Sequence, residues 1–237
     1  MIPMRKIFLL FAGAALAAGL CTTEVRAAIV STQFNSNTAF SGGGELSTLT
    51  NDLLTGIIQT GSTFADQEGL NADTTSASLT NGAFGPAGLI AAPGPNPEVA
   101  IIGNFQTLTF TLGTGAFGAG YTISEFRAYS GWQDNGRSRQ DYTLLYSTVA
   151  APGTFLPLIT VNGTQNMQDQ LTVVKDDLGA TIPNVFAIQF QTAGNVQNGY
   201  VGWREFDLVG TSTVPEPASF SLLALGASAF LSMRRRR

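Results

Sequence analysis

Thr107-Leu108-Thr109-Phe110-Thr111-Leu112 reads as a half-buried β-strand. Leu108, Phe110 and Leu112 alternate with three threonines, which puts the apolar set on one face. The same period extends downstream. Gly113 to Gly120 is a turn, and Tyr121 to Tyr129 resumes as a strand. A bulge is expected there, where Ile123 gives way to the Phe126/Ala128 phase. Asp141 to Ser147 sets Tyr142, Leu144 and Tyr146 against Thr143, Leu145 and Ser147. Both faces carry apolar groups, as in an inner strand. Phe155 to Val161, Gln170 to Val174, Val185 to Gln191 and Tyr200 to Val209 complete the series. Turn signals separate these segments at Pro152-Gly153, Asn162-Gly163, Asp176-Asp177 and Asn198-Gly199. Short strands, regular turns and few helix signals indicate an all-β sandwich.

Upstream the pattern is weaker. Ile29 to Phe34 reads as a strand, while Leu53 to Ile58 fits a strand or a helical turn equally. Thr60 to Gly69 and Asn81 to Pro97 are rich in Gly, Pro, Asn and Ser and read as loops. Apolar residues spread through this part argue for a loop-rich folded domain over disorder. Residues 28–213 therefore form one domain, long enough to bury a sizeable core. The body carries five basic residues (Arg127, Arg137, Arg139, Lys175, Arg204) against fourteen Asp and Glu. That surface repels phosphate backbones and excludes nucleic acid as a partner.

The two ends differ from the body. Residues 1–27 read as a secretory signal helix. Arg5 and Lys6 precede the uncharged run Ile7 to Leu20, and Val25-Arg26-Ala27 offers a signal-peptidase site. Cys21, the one cysteine, follows Leu20, which is too large for a lipoprotein acceptor site, so the mature chain is expected to lack thiols. Residues 214–237 hold Pro215-Glu216-Pro217, an apolar run from Ala218 to Met233, and Arg234-Arg235-Arg236-Arg237. Sixteen helical residues span roughly 24 Å, a little short of a bilayer core. Snorkelling arginines make up part of the deficit and fix the orientation.

This tail resembles the PEP-CTERM sorting signal of bacterial exported proteins. The resemblance implies handling by a membrane-embedded exosortase near the Pro-Glu-Pro, with the C-terminal helix holding the chain in the membrane beforehand. The alternatives are an ordinary C-terminal anchor or a buried helix.

Within the body, Leu108 to Leu112, Tyr121 to Trp132, Asp141 to Ser147 and Gly199 to Gly210 resemble discoidin-type, galactose-binding-like domains. Trp203-Arg204-Glu205-Phe206-Asp207-Leu208-Val209-Gly210 follows their closing strand, and Leu79-Thr80-Asn81-Gly82 is similar to their early turn, with Asn in place of Asp. The likeness covers about two-thirds of the body. It implies an antiparallel jelly-roll β-sandwich and a structural Ca²⁺ held by Asn81 and Glu205. Hard oxygen ligands suit that ion. The alternative is an Arg204–Glu205 neighbourhood without metal.

The chemistry-bearing residues are few. Histidine is absent, and with it the commonest general base. Gly113-Thr114-Gly115-Ala116-Phe117-Gly118 has dinucleotide-loop spacing, but a strand follows it where a helix N-terminus would be needed. Asp134 and Asp141 could pair for glycoside cleavage, but solvated loop carboxylates are the simpler reading. Asn162-Gly163-Thr164 fits a glycosylation sequon, and turn chemistry explains it as well. No cofactor is required.

The strongest ligand candidate is the polar loop Ser130 to Arg139. In one reading Trp132 is a stacking face for a sugar, with Gln133, Asp134, Asn135, Arg137 and Arg139 engaging hydroxyls. In the other, Trp132 caps the sandwich and the arginines pair locally. The expectation is a non-enzymatic exported protein of the cell envelope, outer surface or extracellular matrix. It binds carbohydrate or associates with exopolysaccharide. The alternatives are a purely structural matrix protein and, remotely, a glycoside hydrolase.

Overall fold

A computed structural model describes residues 28–36, 49, 51–62, 72–73, 75–82, 96–132, 137–163, 169–194 and 199–215. The expected N-terminal signal helix and C-terminal apolar helix lie outside these residues. The fold is all-β. Among the described residues eleven strands run in chain order: β1 Ile29–Ser36, β2 Thr60–Gly61, β3 Ala72–Asp73, β4 Asn96–Gly103, β5 Thr107–Thr111, β6 Tyr121–Gly131, β7 Asp141–Thr148, β8 Ala151–Asn162, β9 Asp169–Asp176, β10 Ile182–Thr192 and β11 Tyr200–Ser212. No helix among the described residues is long and apolar enough to cross a membrane.

One half of the sandwich has the order β8-β7-β10-β5-β2, the other β1-β9-β6-β11-β4-β3. They join at a corner where Ile182 and Val185 of β10 pair with Ile123 and Tyr121 of β6. All pairs are antiparallel except the short β3 against β4. The alternation read from the sequence is what closes the two halves. Leu108 and Phe110 of β5, Leu144 of β7 and Phe190 of β10 face Phe126 of β6 and Val201, Trp203, Phe206 and Leu208 of β11, all buried. Aromatic rings interlock across the gap. Phe110 meets Phe206 edge-on at 5.9 Å between centroids, and Phe190 lies 4.6 Å from Phe206. Such pairs add about 0.5–1.5 kcal/mol each beyond the area they bury.

Four sequence readings change in detail: the first is that Thr60 and Gly61, read as the start of a loop, form β2 against β5. The hairpin turn between β7 and β8 is Val149-Ala150, so Pro152 and Gly153 lie inside β8. Among the described residues β8 pairs only with β7, and an edge position tolerates a residue that cannot donate to the ladder. Leu53 to Gly56 is a turn, neither strand nor helix, closed by Ile57 N–H donating to Leu54 O at 2.8 Å. Asn96 and Pro97 belong to β4, an eight-residue strand that the Pro-rich composition hid. The β6 bulge is where expected: the ladder with β11 shifts between Glu125 and Ile123. The Gly113–Gly120 segment joins β5 to β6 directly, with no helix following its glycines.

Candidate functional site

In β11 the residues Phe206 and Leu208 point into the core, so Glu205 and Asp207 share the opposite face. Two other segments close over that face. Asp52 bridges to Val209, and its Oδ1 accepts from Leu208 N at 2.8 Å and from Leu54 N at 2.9 Å. The 3-10 turn Ala77–Thr80 brings Gly82, whose N–H donates to Glu205 Oε1 at 3.1 Å. The result is a corner in which carboxylate oxygens of Asp52, Glu205 and Asp207 lie within 4.8 Å of one another, two of the three residues buried.

The electrostatics of this corner follow from that crowding. Burial, then the negative charge of Asp52, pushes the Asp207 carboxyl up to about 7, while Tyr129 and Arg127 oppose the shift. The Tyr129 hydroxyl is the hydrogen-bonding group that faces the buried Asp207 carboxyl. Three converging carboxylate oxygens are the hard donor type that a divalent cation of the calcium kind takes. The early turn and Glu205 do meet, but through the Gly82 backbone, and Asn81 is exposed. Asp52 and Asp207 were not nominated from the sequence. Asp207 was legible as Glu205's same-face neighbour two residues on, whereas Asp52 lay in the ambiguous Leu53 segment.

At the other end of β11 lies the candidate ligand loop. Gln133, Asp134 and Asn135 fall outside the described residues. Trp132 is 4% exposed and packs with Val99, Ile101 and Tyr200. Its ring meets Tyr200 edge-on at 5.8 Å, and the Arg137 guanidinium sits 4.9 Å from both ring centroids. Arg137 is pinned in turn by its carbonyl, which accepts from Gly202 N at 2.9 Å. Arg139 pairs with Asp141 at 2.7 Å, and Asp141 also accepts from Gly163 N at 2.8 Å. Beneath them Gln140 Nε2 lies within hydrogen-bond reach of Ala128 O, Ser130 Oγ and Gln170 O, all buried. Among the described residues, Arg137 and Tyr200 cover the Trp132 ring. Asp141 is committed to holding the β7 start, and its proposed partner Asp134 lies outside the described residues.

A buried pair, Arg204 with Asp169 at 3.5 Å, abuts Gly131. A Cβ at Gly131 would lie 2.3 Å from Asp169 Oδ1, so any larger residue would force the Arg204–Asp169 pair to shift. Burial lowers the pKa of the Arg204 guanidinium, while Asp169 acts to raise it.

Beyond β11 one further residue is hydrogen-bonded to the sandwich. Thr213 N–H donates to Gly120 O at 2.8 Å, and its hydroxyl lies 2.8 Å from that of Thr122. Val214 is then 67% exposed. Residues 213–237 match the family model described as the PEP-CTERM protein-sorting motif. The motif begins at Thr213, the residue after β11, which Gly120 and Thr122 hold. Of the motif residues, Pro215 is described and exposed, and Glu216, Pro217 and Arg234 to Arg237 lie outside the described residues. The motif marks a chain exported and handled by an exosortase.

No curated protein sequence matches the chain. Among solved structures it is similar to the family 32 carbohydrate-binding module of Clostridium perfringens NanJ in complex with galactose, at 12% identity over 64% of this chain and 92% of that one, TM-score 0.43. It is also similar to a Clostridium perfringens family 32 module in complex with GalNAc-β-1,3-galactose, at 15% identity over 65% and 95%, TM-score 0.43. A third is chitosan-binding module 1 of a Paenibacillus sp. IK-5 chitosanase/glucanase, at 12% identity over 67% and 98%, TM-score 0.41. The fold of this chain is defined by its own strand pairing, described above.

Proposed function

We propose that the protein is a non-catalytic carbohydrate-binding module, sorted by an exosortase to the cell envelope or its exopolysaccharide. The observation that carries the sorting part is the junction. The motif of residues 213–237 starts where the ladder of β11 ends, so processing near Pro215-Glu216-Pro217 happens beside the folded body. The binding part is supported by the discoidin-type closing strand Trp203 to Gly210, by the all-β sandwich and by the lack of histidine. Strand β11 spans thirteen residues, roughly 40 Å, between the tail and the loops at its start. A chain held by its tail would therefore present the loop end away from the membrane. Calcium at Asp52, Glu205 and Asp207 would neutralise the corner that fixes residues 52–57 and 77–82 to β11.

A purely structural role in the matrix is the second reading, favoured by the burial of Trp132. Sorting is tested by expressing the full chain and a chain cut after Val214, with and without an exosortase. Fractionation and intact mass should change with the enzyme only when the tail is present. Identical behaviour in all four cases sinks the sorting reading.

A further inference from the structure

The β4–β5 turn presents an aromatic side chain that the packing of the sandwich does not use. Phe105 is 78% exposed, and its backbone is left-handed at φ +56°. A glycine would hold that conformation freely, whereas an L side chain is strained in it. The turn is nonetheless fastened on both sides. Gln106 N–H donates to Thr192 Oγ1 at 2.8 Å, and Thr192 N–H donates to Gln106 O at 3.0 Å. Thr192 Oγ1 also donates to Gly103 O at 2.7 Å. The tip of the ring rests on Gly194, where a Cβ would come within 2.2 Å of Phe105 Cζ. The backbone on both sides of the ring is thus fastened, and the ring stands in solvent.

From this turn β5 leads into an uncharged polar face. The outward side chains of one cross-strand row are Thr107, Gln191, Thr143 and Thr160, set by the register of β5, β10, β7 and β8. Four strands at about 4.8 Å make that row roughly 14 Å wide. It is tied into a neutral network. Thr143 and Thr160 hydroxyls are 3.0 Å apart, Gln191 Nε2 donates to Gln189 Oε1 at 2.8 Å, and Gln189 Nε2 donates to Thr109 Oγ1 at 3.1 Å. The row and its partners contain no charge, on a body whose acidic residues outnumber its basic ones by nine.

We propose that Phe105 and the Thr107–Gln191–Thr143–Thr160 row form a binding ledge for a neutral, hydroxyl-rich glycan. This rests on the carbohydrate-binding reading above and names its site and its charge class. The CH face of a sugar ring stacks on Phe105, and its hydroxyls exchange hydrogen bonds with the threonines and Gln191. An anionic polymer would meet a net-negative surface with no cation in the row to hold it.

The test uses the full chain in mild detergent and affinity electrophoresis through gels containing galactomannan, dextran or alginate. Wild type should be retarded by at least one neutral polymer and run freely in alginate. Phe105→Leu should weaken that retardation at least tenfold, Phe105→Tyr should keep it, and Gln191→Ala should weaken it several-fold. Phe105→Gly should lose it while melting no lower than wild type, which separates loss of the site from misfolding. If Phe105→Leu and Phe105→Gly are retarded like wild type, the ledge is wrong and the carbohydrate reading survives. If none of the three polymers retards wild type, both fail. Retardation by alginate alone overturns the neutral class.

Discussion

Trp132 and Phe105 occupy neighbouring loops at one end of the sandwich and are presented in opposite ways. Trp132 is 4% exposed, covered by the Tyr200 ring and the Arg137 guanidinium. Phe105 is 78% exposed on a strained turn, touching Gly194 with its ring tip. A ring is sealed when strand ends beside it supply partners, as β4 and β11 do for Trp132 through Val99, Ile101 and Tyr200. It stays open when the turn carrying it is too short to fold back, as between Gly103 and Thr107. The polar composition of a loop says little about which of these happens.

The largest effect expected is at Trp132. Replacing it by Ala removes a packed ring and should cost roughly 3–5 kcal/mol in chemical denaturation. A cost under about 1 kcal/mol would break the comparison by showing the ring to be free.

The carboxylate corner supplies a control that both aromatics should ignore. Calcium at a hundredfold excess over its Kd should stabilise wild type by about 2.7 kcal/mol. Trp132→Ala and Phe105→Gly should gain the same increment, because distant sites add. No gain in any of them removes calcium from the account. The pH dependence without calcium has a defined sign. The folded Asp207 carboxyl titrates at about 7, above its ordinary 3.8. The native state therefore holds a proton that the unfolded chain has released. The stability contributed is complete below pH 4 and is lost as pH rises through 7. Asp207→Asn should flatten that decline, and an unaltered profile would assign it to another group.

Arg137→Ala comes next, at roughly 1–2 kcal/mol for two cation–π contacts, and should make Trp132 emission easier to quench. The smallest change is Phe105→Gly. It relieves the left-handed backbone and should leave stability equal or raise it by up to about 1 kcal/mol. A loss beyond 1 kcal/mol would mean that the ring supports the turn.

The strands from β5 onward were legible because period-2 alternation records burial on one face. Even the β6 bulge showed as a change of phase at Ile123. β4 was not legible, since Pro95 and Pro97 mark a loop by composition while the strand pairs through Ala100 to Gly103. The site was legible only where it lay in a strand. Glu205 came from the closing-strand resemblance, whereas Asp52 reaches it across 153 residues through a turn that local pattern cannot place. Phe105 gave no signal, because a positive φ at a non-glycine residue is imposed by its surroundings, here the Thr192 hydrogen bonds.

The contrast between the two aromatics is tested most directly by acrylamide quenching of tryptophan fluorescence. The chain has two tryptophans, Trp132 and Trp203, at 4% and 0% exposure. Native wild type should emit in the blue and resist quenching, and Phe105→Trp should add a red-shifted, readily quenched component. Strong quenching of wild type, or a shielded third tryptophan in Phe105→Trp, would contradict the account.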